Sequence, residues 1–351
     1  MSSNNFLEDF FIGQSINHAT PRTINEADAS IYIALTGDRR PLFCASTFAK
    51  QLGFDKKPIN DLLVFHIAFG RTVQDISLNA IANLGYADVR FIHSVFSGDT
   101  LKCTSEVIGL KENSKKTNGI VYVHSHVFNQ DNTEVMSWKR WVMIPKRDSD
   151  INIKNTLVPN LPQSVDLNDI KIYPQLKINN FDYLSTGSKM LWDDYSKGET
   201  INHTHGITID ETAHTMATHL YQNNARLHFD ANLMKNTPFQ KRLVYGGHII
   251  SLCNSISFQG LENVLNIAAI NSGVHSNPSF AGDTIYAKTI IKDKIEIEDR
   301  TDLGLLRLRL IGIKNQDPSE IESLYKDNES KIYEKNVVLD MDYTVLIPKG
   351  K

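Results

Sequence analysis

The chain has 351 residues, 41% of them hydrophobic and 22% charged, with a formal net charge of −3. That length suits two ordinary domains or one large one, the charge leaves no electrostatic footprint for nucleic acid, and no run of about 18 apolar residues is present to make a membrane helix. The opening MSSNNFLEDFF lacks the basic and apolar regions of a signal peptide, and Cys44, Cys103 and Cys253 have no metal-ligand spacing and read as reduced thiols, so a cytoplasmic protein is expected.

In chain order, Glu26–Leu35 reads as a helix, and Ile59–Val73 as a second one too apolar to face water and therefore buried. Alternating, β-branched stretches follow, with strands expected over Gly119–Phe128 and Glu134–Ile144. The polar segment Arg147–Gln175, with Pro159, Pro162 and Pro174, suits a linker draped over the surface. The series then runs again: a helix over Glu211–Tyr221, a buried helix over Gly247–Phe258, and strands over Thr284–Ile291 and Val337–Ile347.

The recurrence has a fixed offset. Gly13 returns as Gly198, Thr23-Ile24-Asn25-Glu26 as Thr208-Ile209-Asp210-Glu211, and Phe54 as Phe239, all at 185 residues; Gly98-Asp99-Thr100 returns as Gly282-Asp283-Thr284 at 184. Met143-Ile144-Pro145-Lys146 returns as Leu346-Ile347-Pro348-Lys349 at 203, which places an insertion in the polar stretch Lys314–Ser330. Repeats at a long period define the fold before any single element does. Two copies, 1–150 and 180–351, joined by 151–179, each with one long buried helix and antiparallel strands, give an α+β fold. The reading is a tandem double hot-dog, each sheet wrapped around a central helix and the sheets paired edge to edge to protect exposed strand edges.

The loop before each buried helix resembles the MaoC-like (R)-specific enoyl-CoA hydratases, which carry Gly-Asp-x-Asn-Pro-x-His there and a His-Gly pair opening the helix. The first copy, Gly37-Asp38-Arg39-Arg40-Pro41-Leu42-Phe43, keeps the Gly-Asp and the Pro but has Phe43 in place of the His. The second, Gln222-Asn223-Asn224-Ala225-Arg226-Leu227-His228, keeps the His but has Asn223 at the Asp position, and it keeps a helix-opening glycine in Tyr245-Gly246-Gly247-His248 where the first copy has Leu62. The run from Val73 to Tyr86, that from Ser105 to Ser114, and Tyr245-Gly246-Gly247-His248-Ile249-Ile250-Ser251-Leu252 are similar to the β-methylmalyl-CoA dehydratases, also called mesaconyl-CoA hydratases. That resemblance implies a hydro-lyase interconverting β-methylmalyl-CoA and mesaconyl-CoA. It also implies a degenerate first copy that widens one pocket for the acyl group and the CoA arm.

Removing water from a β-hydroxyacyl thioester needs a base for the α proton, a site for negative charge on the thioester oxygen, and an acid for the leaving hydroxyl. His228 suits the base, since an imidazole titrates at about 6.5. Gly247 suits the oxygen site: at a helix start its N–H is unpaired, the helix dipole adds positive character, and no side chain obstructs approach. Asn223 cannot titrate but can orient a water or hydroxyl, and a neutral amide spares an acyl carboxylate the repulsion an Asp would bring. Arg226 or Arg242 is expected to grip that carboxylate, with Tyr245 and His248 also against the substrate, and the turn at Tyr183–Lys189 is a candidate border of the CoA channel. No cofactor and no metal are expected: His214 and His219 are five apart, wrong for one helical face, and His203 and His205 add no ligand spacing. The oligomeric state is not readable from the sequence, and a homodimer stays open. Three alternatives stay open: a hydratase for another enoyl-CoA such as itaconyl-CoA, a hot-dog thioesterase using a carboxylate such as Asp61, and a non-catalytic acyl-binding scaffold.

Overall fold

The computed structural model describes residues 5–170 and 172–350. Its first half contains strands β1 (Ser15–Asn17) and β2 (Arg22–Thr23), then helices α1 (Glu26–Thr36), α2 (Pro41–Cys44), α3 (Ser46–Gln51) and α4 (Asp61–Thr72). Strands β3 (Ala82–Phe91), β4 (Thr100–Glu112), β5 (Asn118–Phe128) and β6 (Glu134–Pro145) follow. After a short helix α5 (Tyr183–Thr186), the second half runs β7 (Thr200–Thr208), α6 (Glu211–Leu220), α7 (Ala231–Met234), α8 (Gly246–Ile256), β8 (Asn266–Val274), β9 (Thr284–Ile297) and β10 (Arg300–Lys314). A small pair, β11 (Tyr325–Asp327) and β12 (Ile332–Tyr333), and β13 (Val337–Pro348) complete it.

The halves have the same strand order, β1-β4-β5-β6-β3 and β7-β9-β10-β13-β8, and β3 pairs antiparallel with β8. The two hot-dog sheets thereby fuse into one eleven-stranded sheet. Register across the seam is reciprocal, with Tyr86 opposite Gly273 and Val89 opposite Ile270; the Tyr86 ring fills the place a Cβ on Gly273 would take. Each half wraps its strands around one helix, α4 or α8, both buried for almost their whole length.

The repeat, at offsets of 184 and 185, returns bond by bond. Ile24 N–H donates to the Asp99 carbonyl and Ile209 N–H to that of Asp283, both at 2.9 Å. Phe96 N–H donates to the Asp99 carboxylate at 2.8 Å and Phe280 N–H to that of Asp283 at 2.9 Å. The helices α4 and α8 meet at corresponding positions, where His66 Nε2 and Ser251 Oγ are 2.9 Å apart.

The insertion lies between β10 and β13 and holds the β11–β12 pair, tied to the sheet by Tyr333, whose hydroxyl donates to Asp340 at 2.8 Å, and by Arg309, which donates to the Tyr325 hydroxyl at 3.1 Å. The polar segment after β6 is mostly exposed as far as Ser164, but its far end is not draped over the surface as its composition suggests. Tyr173 is buried, as are Leu176, Ile178 and Phe181 just beyond, in a core cluster with Leu42, Phe43, Phe48 and Phe54. The apolar residues of this segment are scattered among polar ones and prolines with no helical or strand period, so its composition does not show which of them pack. No helix of the described residues is long and apolar enough to cross a membrane.

Candidate active site

Between α6 and α8 the chain folds on its own side chains. Asn223 Oδ1 accepts from Ala225 N–H at 3.0 Å, an Asx turn, and a single helical turn, Arg226–His228, brings His228 into a buried position. His228 Nδ1 lies 2.9 Å from the Leu243 carbonyl. A carbonyl only accepts, so Nδ1 carries the proton and Nε2 is left as the basic atom. Burial pushes the imidazole down to about 4, so the ring is neutral at ordinary pH.

Gly246 and Gly247 open α8 behind the N-cap Tyr245. Their amides belong to the first turn, whose donors have no intrahelical carbonyl. Both glycines are also forced by packing: a Cβ on Gly247 would strike the Tyr245 ring and stand 2.7 Å from His66 Nδ1, and one on Gly246 would stand 2.6 Å from the His275 ring. Tyr245 in turn lies edge-on to His228, ring centroids 5.6 Å apart.

These residues share the wall of a cavity of about 830 Å³. Asn223, Arg226, His228, Tyr245 and Gly247 all line it, within a mainly apolar wall drawn from both halves, including Phe65, Phe69 and Ile250. Its lining contains no Asp or Glu, and its charged members are Arg140 and Arg226. Arg226 is exposed. The structure thus brings together five of the seven residues singled out from the sequence.

The other two lie elsewhere. Arg242 is bound to Glu211, with Nε donating at 2.9 Å and a second bond from Nη2, so this arginine braces the site loop against α6 and is not free for a substrate carboxylate. His248, 1% exposed, is the third residue of α8 and turns into the core, where burial pushes its imidazole down to about 3. The turn at Tyr183–Lys189 contributes nothing to the cavity lining, and His203, His205, His214 and His219 have separate surroundings: His203 bonds Thr289 at 2.9 Å, His205 is exposed, His214 faces Glu211, and His219 stacks on Phe229. Of the lining residues with basic side chains, Arg140 and His275 carry no motif signal. A period of two in β6 could have found the first, since Met136, Trp138, Arg140, Val142 and Ile144 fall on one face and only one of them is charged.

The corresponding position in the first half is filled. Asp38 Oδ1 accepts from Arg40 N–H at 3.2 Å, the counterpart of the Asn223 turn. Asp38 Oδ2 accepts from Asn60 at 2.6 Å, and the buried Arg40 lies 3.7 Å from Asp38 and donates to Asn254 at 2.6 Å. Phe43, in the place of His228, is core. Asp61, the carboxylate a thioesterase would need, accepts from Ile267 N–H at 3.1 Å, is pushed up to about 7 by burial, and lies outside the cavity lining.

Residues 2–325 match the family model described as mesaconyl-CoA hydratase. This chain belongs to the mesaconyl-CoA hydratase family. A β-methylmalyl-CoA dehydratase of Chloroflexus aurantiacus is 52% identical over 98% of the chain and 97% of its own length. A mesaconyl-CoA hydratase of Cereibacter sphaeroides is 43% identical over 99% of each. Among solved structures, a MaoC domain dehydratase of Chloroflexus aurantiacus superposes with a TM-score of 0.96 at 51% identity, covering 100% of this chain and 99% of that one. The double hot-dog architecture is shared more widely: a Mycobacterium tuberculosis protein of that fold, 21% identical, covers 98% of each chain with a TM-score of 0.77. The features of the second half, His228 and the glycine-opened helix, thus sit in a member of this hydratase family.

Proposed function

We propose that the protein is a hydro-lyase that reversibly dehydrates β-methylmalyl-CoA to mesaconyl-CoA, with the second half carrying the chemistry. The observation that carries this reading is His228: its Nδ1 proton is committed to Leu243, so Nε2 is a neutral base on the wall of a cavity that also receives the first turn of α8.

With the thioester oxygen at Gly247 N–H, negative charge developing on that oxygen meets an unpaired donor and the positive end of the helix, a contribution of about 10²–10³ in rate for one such donor. His228 Nε2 takes the α proton. As the C–O bond breaks and the C=C bond forms, the same imidazolium protonates the departing hydroxyl, so water leaves and His228 is neutral again. Hydration is the reverse. One titrating group acting on one face accounts for the place of Asn223, whose amide orients the hydroxyl without needing a proton of its own. A cavity without Asp or Glu in its lining favours an acyl group that is itself an anion.

A panel of mesaconyl-, itaconyl- and crotonyl-CoA, followed by mass spectrometry for a gain of water and by thiol release, tests the proposal. The expected result is water addition, fastest by kcat/KM for mesaconyl-CoA. Free thiol without hydration, or no reaction with any of the three, would overturn it.

A further inference from the structure

Arg140 is the residue the sequence did not mark. It is 1% exposed on the core-facing side of β6 and lines the cavity. A guanidinium has five N–H donors, and burying one without a counter-ion is costly. Here one terminal nitrogen reaches Ser77 Oγ and the other the Thr72 carbonyl, both at 3.4 Å, and Nε is buried with no partner among the described residues. No described carboxylate pairs with it; Asp75, in the turn after α4, is taken by His18 at 2.8 Å. Burial lowers the guanidinium to about 9, which still leaves it cationic at neutral pH.

Its position relative to the base is fixed by a row of rings. The guanidinium lies over Phe69 at 4.4 Å, Phe69 lies 6.1 Å from Tyr245, and Tyr245 lies 5.6 Å from His228 and against Gly247. All five residues line the one cavity. A cation set into an apolar wall, with unspent donors and no acid beside it, is built for an anion that arrives with the ligand.

We propose that Arg140 is a specificity-determining residue that pairs with the free carboxylate of the acyl group, so that the first half holds the substrate's charge while the second half does the proton transfer. This rests on reading the cavity as the acyl site of a hydratase. The acyl carboxylate is favoured over the CoA phosphates because the acyl end is the part that must reach His228 and Gly247. The phosphates lie at the far end of the pantetheine arm, nearer solvent, where an exposed cation such as Arg226 is better placed than a buried one.

The test is binding of two saturated thioesters that offer no double bond to hydrate and no β-hydroxyl to lose, freshly prepared succinyl-CoA with a free carboxylate and butyryl-CoA without one, measured by calorimetry on the wild type and on Arg140→Met, with thermal melts of both. The wild type is expected to prefer succinyl-CoA, and Arg140→Met to lower the succinyl-to-butyryl affinity ratio by roughly 30-fold or more, as for removing one partner of a buried charge pair. A wild type with no preference overturns the proposal without recourse to any variant. So does a ratio unchanged in the variant, which includes an equal loss for both thioesters, the outcome expected if the arginine serves the phosphates. If Arg140→Met does not fold, Arg140→Gln carries the same comparison. Mesaconyl-CoA hydration by the wild type is followed in parallel. A preference for succinyl-CoA without hydration counts against the hydratase reading alone, and hydration without the preference counts against Arg140 alone.

Discussion

Asp38 and Asn223 hold the same turn with the same kind of bond, yet one leads into solid core and the other into a cavity. The difference lies in two places. At the turn's end, Phe43 fills the space in the first half, whereas His228 occupies that position in the second. Above it, Tyr173, Leu176, Ile178 and Phe181 close over the first half, so Phe54 is 2% exposed; its counterpart Phe239 has no such cover, is 45% exposed and lines the cavity. A shared backbone therefore does not decide whether a hot-dog unit is a site. One side chain and one overlying segment do.

Removing the group that distinguishes the open half should have the largest effect. His228→Ala is expected to lower kcat about 10²–10⁴-fold, the range for losing a positioned acid–base group, while circular dichroism and the melting temperature stay near wild type. Near-normal turnover in the folded variant would end the distinction between the halves. The same residue sets the pH response. Its burial-lowered value of about 4 means that the base is neutral above that pH, so kcat/KM should fall only as pH drops through about 4. An acid limb at about 6.5, the value of a freely hydrated imidazole, would show that the ring is not buried in the working enzyme.

Gly247→Ala should rank next. The added methyl meets the Tyr245 ring and His66, and moving either disturbs the helix start beside His228. A fall of about 10²-fold in kcat is expected, the lower range for an impaired oxyanion donor, read against thermal stability to separate local from global damage. A fully active variant would remove the α8 amide from the chemistry.

The closed half should answer in stability instead. Phe43→Ala opens a hole in a packed cluster and is expected to cost about 3–5 kcal/mol, measured by urea denaturation, with little change in turnover per folded molecule. A large loss of activity at unchanged stability would mean that the filled site still takes part in catalysis.

The smallest effect is expected at Asn223, where the MaoC-like hydratase motif has an Asp. Asn223→Asp places a carboxylate on the cavity wall, and the ratio of kcat/KM for mesaconyl-CoA over crotonyl-CoA should fall roughly tenfold, the equivalent of one pKa unit of repulsion. A ratio that holds or rises would show that Asn223 is not there to tolerate an acyl carboxylate.

Much of this comparison was readable in the sequence because it is a repeat. The buried helices were expected over Ile59–Val73 and Gly247–Phe258 and run Asp61–Thr72 and Gly246–Ile256. The seam strands were not readable. β8, Asn266–Val274, is buried at nearly every residue on both faces, so the period-two alternation that marks a strand is absent. Among site residues, those tied to a turn or a helix start were found: Asn223, His228, Tyr245 and Gly247. Arg242 and His248 were drawn in because they stand near the motif along the chain, but Glu211 holds the first and the helix turns the second inward. Arg140 escaped for the opposite reason, since it reaches the cavity from a strand of the other half.

The contact between His66 and Ser251 has a further consequence. The two residues occupy the same position in their respective halves and touch each other where the halves meet. In a dimer of identical chains, a residue lying on the two-fold axis faces its own copy, so both partners must be the same type and any change is made twice. Joining the halves in one polypeptide lifts that restriction. A ring nitrogen can then face a hydroxyl, Gly247 can pack on His66 while Leu62 occupies its own counterpart position, and one catalytic pocket can grow at the expense of the other. Covalent fusion is thus what allows asymmetry here, and a chain cut in the segment after β6 and reassembled from two identical second halves would have to place Ser251 against Ser251, with no imidazole between the helices.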